Sequence, residues 1–95
     1  MKVVVIATRK ADAKPEEFAP HLETEVGVAL GMYRDETVRE IYSRADGKGA
    51  VLVLECDDEA HARKLLGTLP LAKAGLLNFE IYATKPYRGI VQHAK

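Results

Sequence analysis

The stretch GAVLVLEC, residues 49–56, has no polar face. Side chains along a β-strand alternate between the two faces of its sheet, so Val51 and Val53 point one way while Leu52 and Leu54 point the other. A sheet with one wet face alternates apolar and polar residues. This strand does not, and neither does Val3–Thr8, where Val3 and Val5 oppose Val4 and Ile6. Both stretches need cover on two sides, in a chain of only 95 residues.

Between them the hydrophobic period changes. Phe18, Leu22, Val26, Ala29, Leu30 and Tyr33 recur at three- and four-residue spacing, which predicts one apolar helical face. Pro15 suits a first helical turn, and Glu16 and Glu17 favour the positive end of the helix dipole. Pro20 removes an amide donor, so the regular helix is expected to begin near it after a short turn.

TVREIYSR (37–44) reads as a second strand, with Val38, Glu40, Tyr42 and Arg44 on one face and Thr37, Arg39, Ile41 and Ser43 on the other. ADGKG is a hairpin connection into GAVLVLEC. Asp57 and Asp58 offer helix N-caps, and Ala62, Leu65, Leu66 and Leu69 form the stripe of a second helix ending near Gly67–Pro70. LAKAG reads as a connection. LLNFEIYATKPY then supplies a fourth strand, with Leu77, Phe79, Ile81 and Ala83 facing away from Asn78, Glu80, Tyr82 and Thr84.

The order β-α-β-β-α-β predicts an α+β, ferredoxin-like sandwich built on one four-stranded antiparallel sheet of order 4-1-3-2, residues 1–95 forming a single domain. Strands one and three are central in that order, and they are the two that are apolar on both faces. Two helices cover one side only. The exposed aliphatic side chains on the other would forgo on the order of 10 kcal/mol of burial, so a second copy of the chain is expected to pack there as a homodimer or part of a higher homo-oligomer.

Lys and Arg balance Asp and Glu at 14 each with no basic stripe, which argues against a nucleic-acid partner. No apolar run approaches the roughly 20 residues of a membrane span, and the short run before Arg9 and Lys10 lacks the cleavage site of a signal peptide. A single cysteine fits a reducing, cytoplasmic setting. One Cys and three scattered His show no metal-ligand spacing, so neither metal nor cofactor is expected.

TVREIYSRADGKGAVLVLEC, together with LPLAKAGLLNFEIYATKPYRG, resembles the muconolactone isomerase-like proteins of the dimeric α+β barrel superfamily. Leu69–Leu71 and the Arg39–Tyr42 strand carry most of the likeness, and it is closest to small members with a REIY-x-R-x-D pattern. The resemblance implies a barrel-like dimer and a cofactor-free shift of a double bond, by proton removal and return, in a small lactone or aromatic-catabolism intermediate. It also implies that KPYRG (85–89) crosses onto the partner, where Tyr87 and Arg88 close a pocket. It carries over no catalytic residue.

From the residues themselves, a proton shuttle needs a base and an oxyanion donor in a partly dry pocket. His21 and Glu25, four apart on a helix, lie side by side, so Glu25 is placed to set the imidazole tautomer. The competing account is an ordinary solvated pair. Arg44 suits a substrate carboxylate and Tyr42 an enolate-like oxygen, against a structural Arg44–Asp46 ion pair.

Glu55 sits either at the mouth of the space between two sheets or beyond the buried zone. Cys56 reads as a small buried hydrophobe, and His61 and His93 as exposed. Three functions therefore stand open: a cofactor-free isomerase acting on a small organic acid or lactone, with His21, Glu25, Tyr42 and Arg44 as candidate catalytic residues; a non-catalytic binding or assembly module; and a cofactor-free monooxygenase. A partly apolar pocket with at least two convergent polar groups separates the first from the second.

Overall fold

The computed structural model describes residues 1–93. Its strands are β1 (Lys2–Arg9), β2 (Val38–Ser43), β3 (Gly49–Glu55) and β4 (Leu77–Ala83), and its helices α1 (Pro15–Phe18), α2 (Leu22–Arg34), α3 (Glu59–Leu66), α4 (Pro70–Lys73) and α5 (Arg88–His93). The sheet order is β2-β3-β1-β4, every pair antiparallel. This is the ferredoxin-like arrangement expected from the sequence, with the two doubly apolar strands at the centre.

The register assigns each face. Val3 pairs with Leu54, Val5 with Leu52 and Ala7 with Ala50. Val3, Val5, Leu52 and Leu54 are buried against Ala62 and Leu66 of α3 and Leu69 beyond it, each large aliphatic side chain contributing about 2 kcal/mol when fully buried. Val4, Ile6, Val51 and Val53 occupy the opposite face and stay outside the buried clusters, half-covered by their neighbours alone.

Local signals hold at the helix ends. Pro15 opens α1, and the Lys14 amide donates to Glu17 at 2.6 Å. A 3-10 turn over Ala19–His21 absorbs Pro20 before α2 begins. Asp58 caps α3 by accepting from the His61 amide at 2.8 Å. Cys56 is buried, and that burial pushes its thiol pKa up.

Three local expectations are corrected. A bulge at Arg39 moves the pairing from Val38↔Leu54 to Glu40↔Val53, so Val38 is buried on the helix side and does not share a face with Glu40. A bulge adds one residue to one strand and so reverses the alternation across it. LAKAG is not a plain connection, because Pro70 starts the single turn of α4. The α2 stripe is not packed core: Leu22, Val26, Leu30 and Tyr33 are 42%, 65%, 42% and 53% exposed, while Val28 and Met32 make the contact with the core. Beyond β4 the chain forms α5, whose apolar Ile90 and Val91 are exposed, and the molecule measures 54 × 26 × 22 Å.

Candidate functional site

The helix-side core tapers along the sheet. One row across it, Ile41–Leu52–Val5–Ile81, is built from large residues; the next, Ser43–Ala50–Ala7–Phe79, has two alanines at its centre. Protein interiors are otherwise close-packed, so the missing side-chain volume leaves a cavity beneath the overhanging stripe of α2. Its volume is about 520 Å³. Leu22, Val26 and Ala29 form its roof, Ala7, Ala50 and Leu52 its floor, and Leu69, Leu71 and Phe79 contribute further apolar wall.

Few polar groups reach this space: Glu25 from α2, Arg9 from the end of β1, Ser43 from the end of β2 and Arg44 just beyond it. Glu25 is half-buried, and its Oε1 accepts a hydrogen bond from the Leu71 amide at 2.9 Å. This bond ties α2 to the first turn of α4. Arg44 donates from one guanidinium nitrogen to Thr8 Oγ1 at 2.7 Å and from another to Asp46 Oδ2 at 2.6 Å. Asp46 is held below the usual carboxylate range, first by the Lys48 amide and further by Arg44. Arg9 stacks over the Phe18 ring, 4.9 Å from its centroid.

The structure therefore divides the four residues singled out from the sequence. Glu25 and Arg44 border the cavity; His21 and Tyr42 do not. His21 is half-buried in the 3-10 turn, and the Glu25 carboxylate reaches Leu71. Tyr42 lies on the helix-free face, where its hydroxyl donates to Glu40 Oε1 at 2.8 Å. The Arg44–Asp46 pair, the competing account of Arg44, forms, and with Thr8 it leaves the guanidinium with two partners already.

Glu55 is half-buried and bonds the Met1 ammonium at 2.6 Å, which holds its pKa down. Arg9 was missed by sequence reasoning. Its only signal was a basic residue closing an apolar strand, which does not say which side chains it will meet.

The helix-free face has a pattern of its own. One row runs Glu40–Val53–Val4–Tyr82 and the next Tyr42–Val51–Ile6–Glu80. Four aliphatic side chains sit between two Tyr–Glu pairs on opposite edges, the two tyrosines at diagonal corners, and the Tyr82 hydroxyl donates to Glu80 Oε2 at 2.7 Å. Each carboxylate raises the pKa of its tyrosine. The arrangement has an approximate twofold axis normal to the sheet.

Among the described residues no helix is long and apolar enough to cross a membrane, and no group of three His, Cys, Asp or Glu side chains is placed to hold a metal ion.

No protein-family model and no curated protein matches the sequence. Several solved structures match in shape, among them the following two. Muconolactone isomerase aligns at a TM-score of 0.75 and 19% identity, over 93% of this chain and 92% of that one. The 5-chloro-2-hydroxyhydroquinone dehydrochlorinase of Burkholderia phenoliruptrix AC1100, solved with 2,5-dihydroxybenzoquinone, aligns at 0.72 and 11% identity, over 94% of this chain and 98% of the other. The chain shares their fold over nearly its whole length.

Proposed function

We propose that the cavity beneath α2 binds a small cyclic molecule and that the protein is a cofactor-free proton-transfer enzyme, an isomerase of an unsaturated lactone or related ring compound. The single observation behind this reading is the cavity itself: about 520 Å³, mostly apolar, with Glu25, Arg9, Ser43 and Arg44 its charged and polar side-chain lining residues. That volume lies in the range of small-molecule sites, and a few polar groups on an apolar wall are how such sites orient a ligand. Both structural neighbours are named for reactions of small rings.

In this reading Glu25 is the proton carrier. Its Oε1 is anchored by the Leu71 amide, and Oε2 has no hydrogen-bond partner among the described residues. A carboxylate in that position removes a proton from carbon next to a carbonyl, the electron pair moves through the conjugated system, and the carboxyl, after exchange with solvent, delivers a proton to a carbon further along. No net oxidation occurs. Arg44, whose guanidinium is held at the sheet edge by Thr8 and Asp46, adds positive potential at the cavity mouth without direct contact.

The helix-free face belongs to the same proposal. A second copy packing there would cover Val4, Ile6, Val51 and Val53, contributing on the order of 1 kcal/mol for each half-buried side chain. Packed face to face about an axis along the strands, two copies would set the edge tyrosines of each opposite the edge glutamates of the other, which suits an isologous contact.

The test is NMR of an unsaturated lactone, muconolactone or α-angelica lactone, incubated with the protein in D2O. Deuterium incorporation that depends on Glu25 supports the enzyme. One observation favours a second reading, a non-catalytic binding module: Glu25 already acts as a structural acceptor between α2 and α4. Lactone binding without exchange would select that reading.

A further inference from the structure

Beside the first cavity lies a second hollow that shares Arg9, Leu22 and Gly47 with it. Its wall carries three cations, Arg9, Lys10 and Lys48, and among the described residues no carboxylate lines it. These cations come from distant parts of the sequence. The Arg9 amide donates to the Lys48 carbonyl at 2.8 Å, which pins the β2–β3 hairpin to the end of β1 and places Lys48 beside Arg9 and Lys10.

Of the carboxylates nearby, Asp46 pairs with Arg44 at 2.6 Å and Glu17 accepts from the Lys14 amide, while Asp12 and Glu16 flank lining residues in the sequence but do not themselves line the hollow. Arg9 is additionally held against the buried Phe18 ring, so one guanidinium borders both spaces at a fixed place.

From this geometry we infer that the ligand is an elongated organic anion: an apolar ring or short chain lies under α2, and its anionic end group lies among Arg9, Lys10 and Lys48. The inference rests on the cavity reading above and moves the anion site away from Arg44, whose guanidinium is occupied by Thr8 and Asp46. An apolar cavity selects the body of the ligand, and three cations on a wall that no carboxylate lines select the end group. Partly exposed charges make the preference modest and sensitive to salt.

The experiment compares trans-cinnamate with cinnamyl alcohol, the same ring and chain with and without charge, by calorimetric titration of the intact protein at low and high salt. Cinnamate is expected to bind about tenfold more tightly at low salt, a preference worth one or two screened charge contacts. Raising the salt should erode it. Lys10→Gln combined with Lys48→Gln, both exposed side chains, should remove most of the preference and leave affinity for the alcohol unchanged.

Equal binding of the two probes, or a preference that survives the double substitution, overturns the inference and leaves the cavity reading in place. Failure of both probes to bind overturns the cavity reading and the inference together.

Discussion

The Glu25 carboxylate accepts a hydrogen bond from the Leu71 backbone amide at 2.9 Å, across 46 positions of sequence. One side chain thereby joins the helix that roofs the cavity to the short helix at its wall, and it leaves one carboxylate oxygen without a partner among the described residues.

Two substitutions separate these roles. Glu25→Gln keeps an oxygen acceptor for the Leu71 amide and should change stability by less than about 1 kcal/mol, while abolishing deuterium exchange into a bound lactone. Glu25→Ala leaves that amide unpaired and should cost about 1–2 kcal/mol. Urea unfolding beside the exchange assay reads both; full exchange activity in Glu25→Gln would remove Glu25 from the chemistry.

The cavity exists because Ala7 and Ala50 face each other in register. Ala50→Leu should fill part of it, leaving stability unchanged or higher by up to about 1 kcal/mol. Ligand-induced shifts in Tm should disappear. A variant that binds small rings as well as the parent would place the site elsewhere.

Val53 sits at the centre of the helix-free face, between Glu40 and Val4. Val53→Glu should convert a dimer to a monomer in sedimentation equilibrium, because the new carboxylate would be buried without a partner beside its twofold mate. The parent chain sedimenting as a monomer at micromolar concentration would refute the proposed assembly.

Asp35 and Asp46 both have lowered pKa values, Asp35 through its hydrogen bonds with Thr37 and Asp46 chiefly through the Lys48 amide. A depressed folded-state pKa contributes stability above the unfolded value and loses it as pH falls through the folded one. The parent should therefore be more stable than Asp46→Asn at neutral pH, and the difference should shrink as pH drops below about 4. Denaturation midpoints across pH 2–7 would show it, and a constant difference over that range would contradict the assignment.

Element types and sheet order were legible because they depend on period alone. Val3–Thr8 and GAVLVLEC announced buried central strands, and the Asn78–Glu80–Tyr82 alternation marked an edge. The bulge at Arg39 was not legible, since one extra residue changes the facing of Val38 without changing the composition of the strand. The α2 stripe was legible as apolar, but periodicity does not say whether an apolar face meets packed side chains or a hollow.

The chain's own pattern determined that a sheet with two apolar faces and helices for one of them would form, because strand alternation and helical spacing are local properties. Tertiary structure alone decided where the site lies. It set Ala7 against Ala50, brought Lys48 beside Arg9, and turned Glu25 toward Leu71 and away from the catalytic pairing its spacing invited. Each of these depends on register between residues tens of positions apart, and a cavity is volume that no single residue in the sequence records.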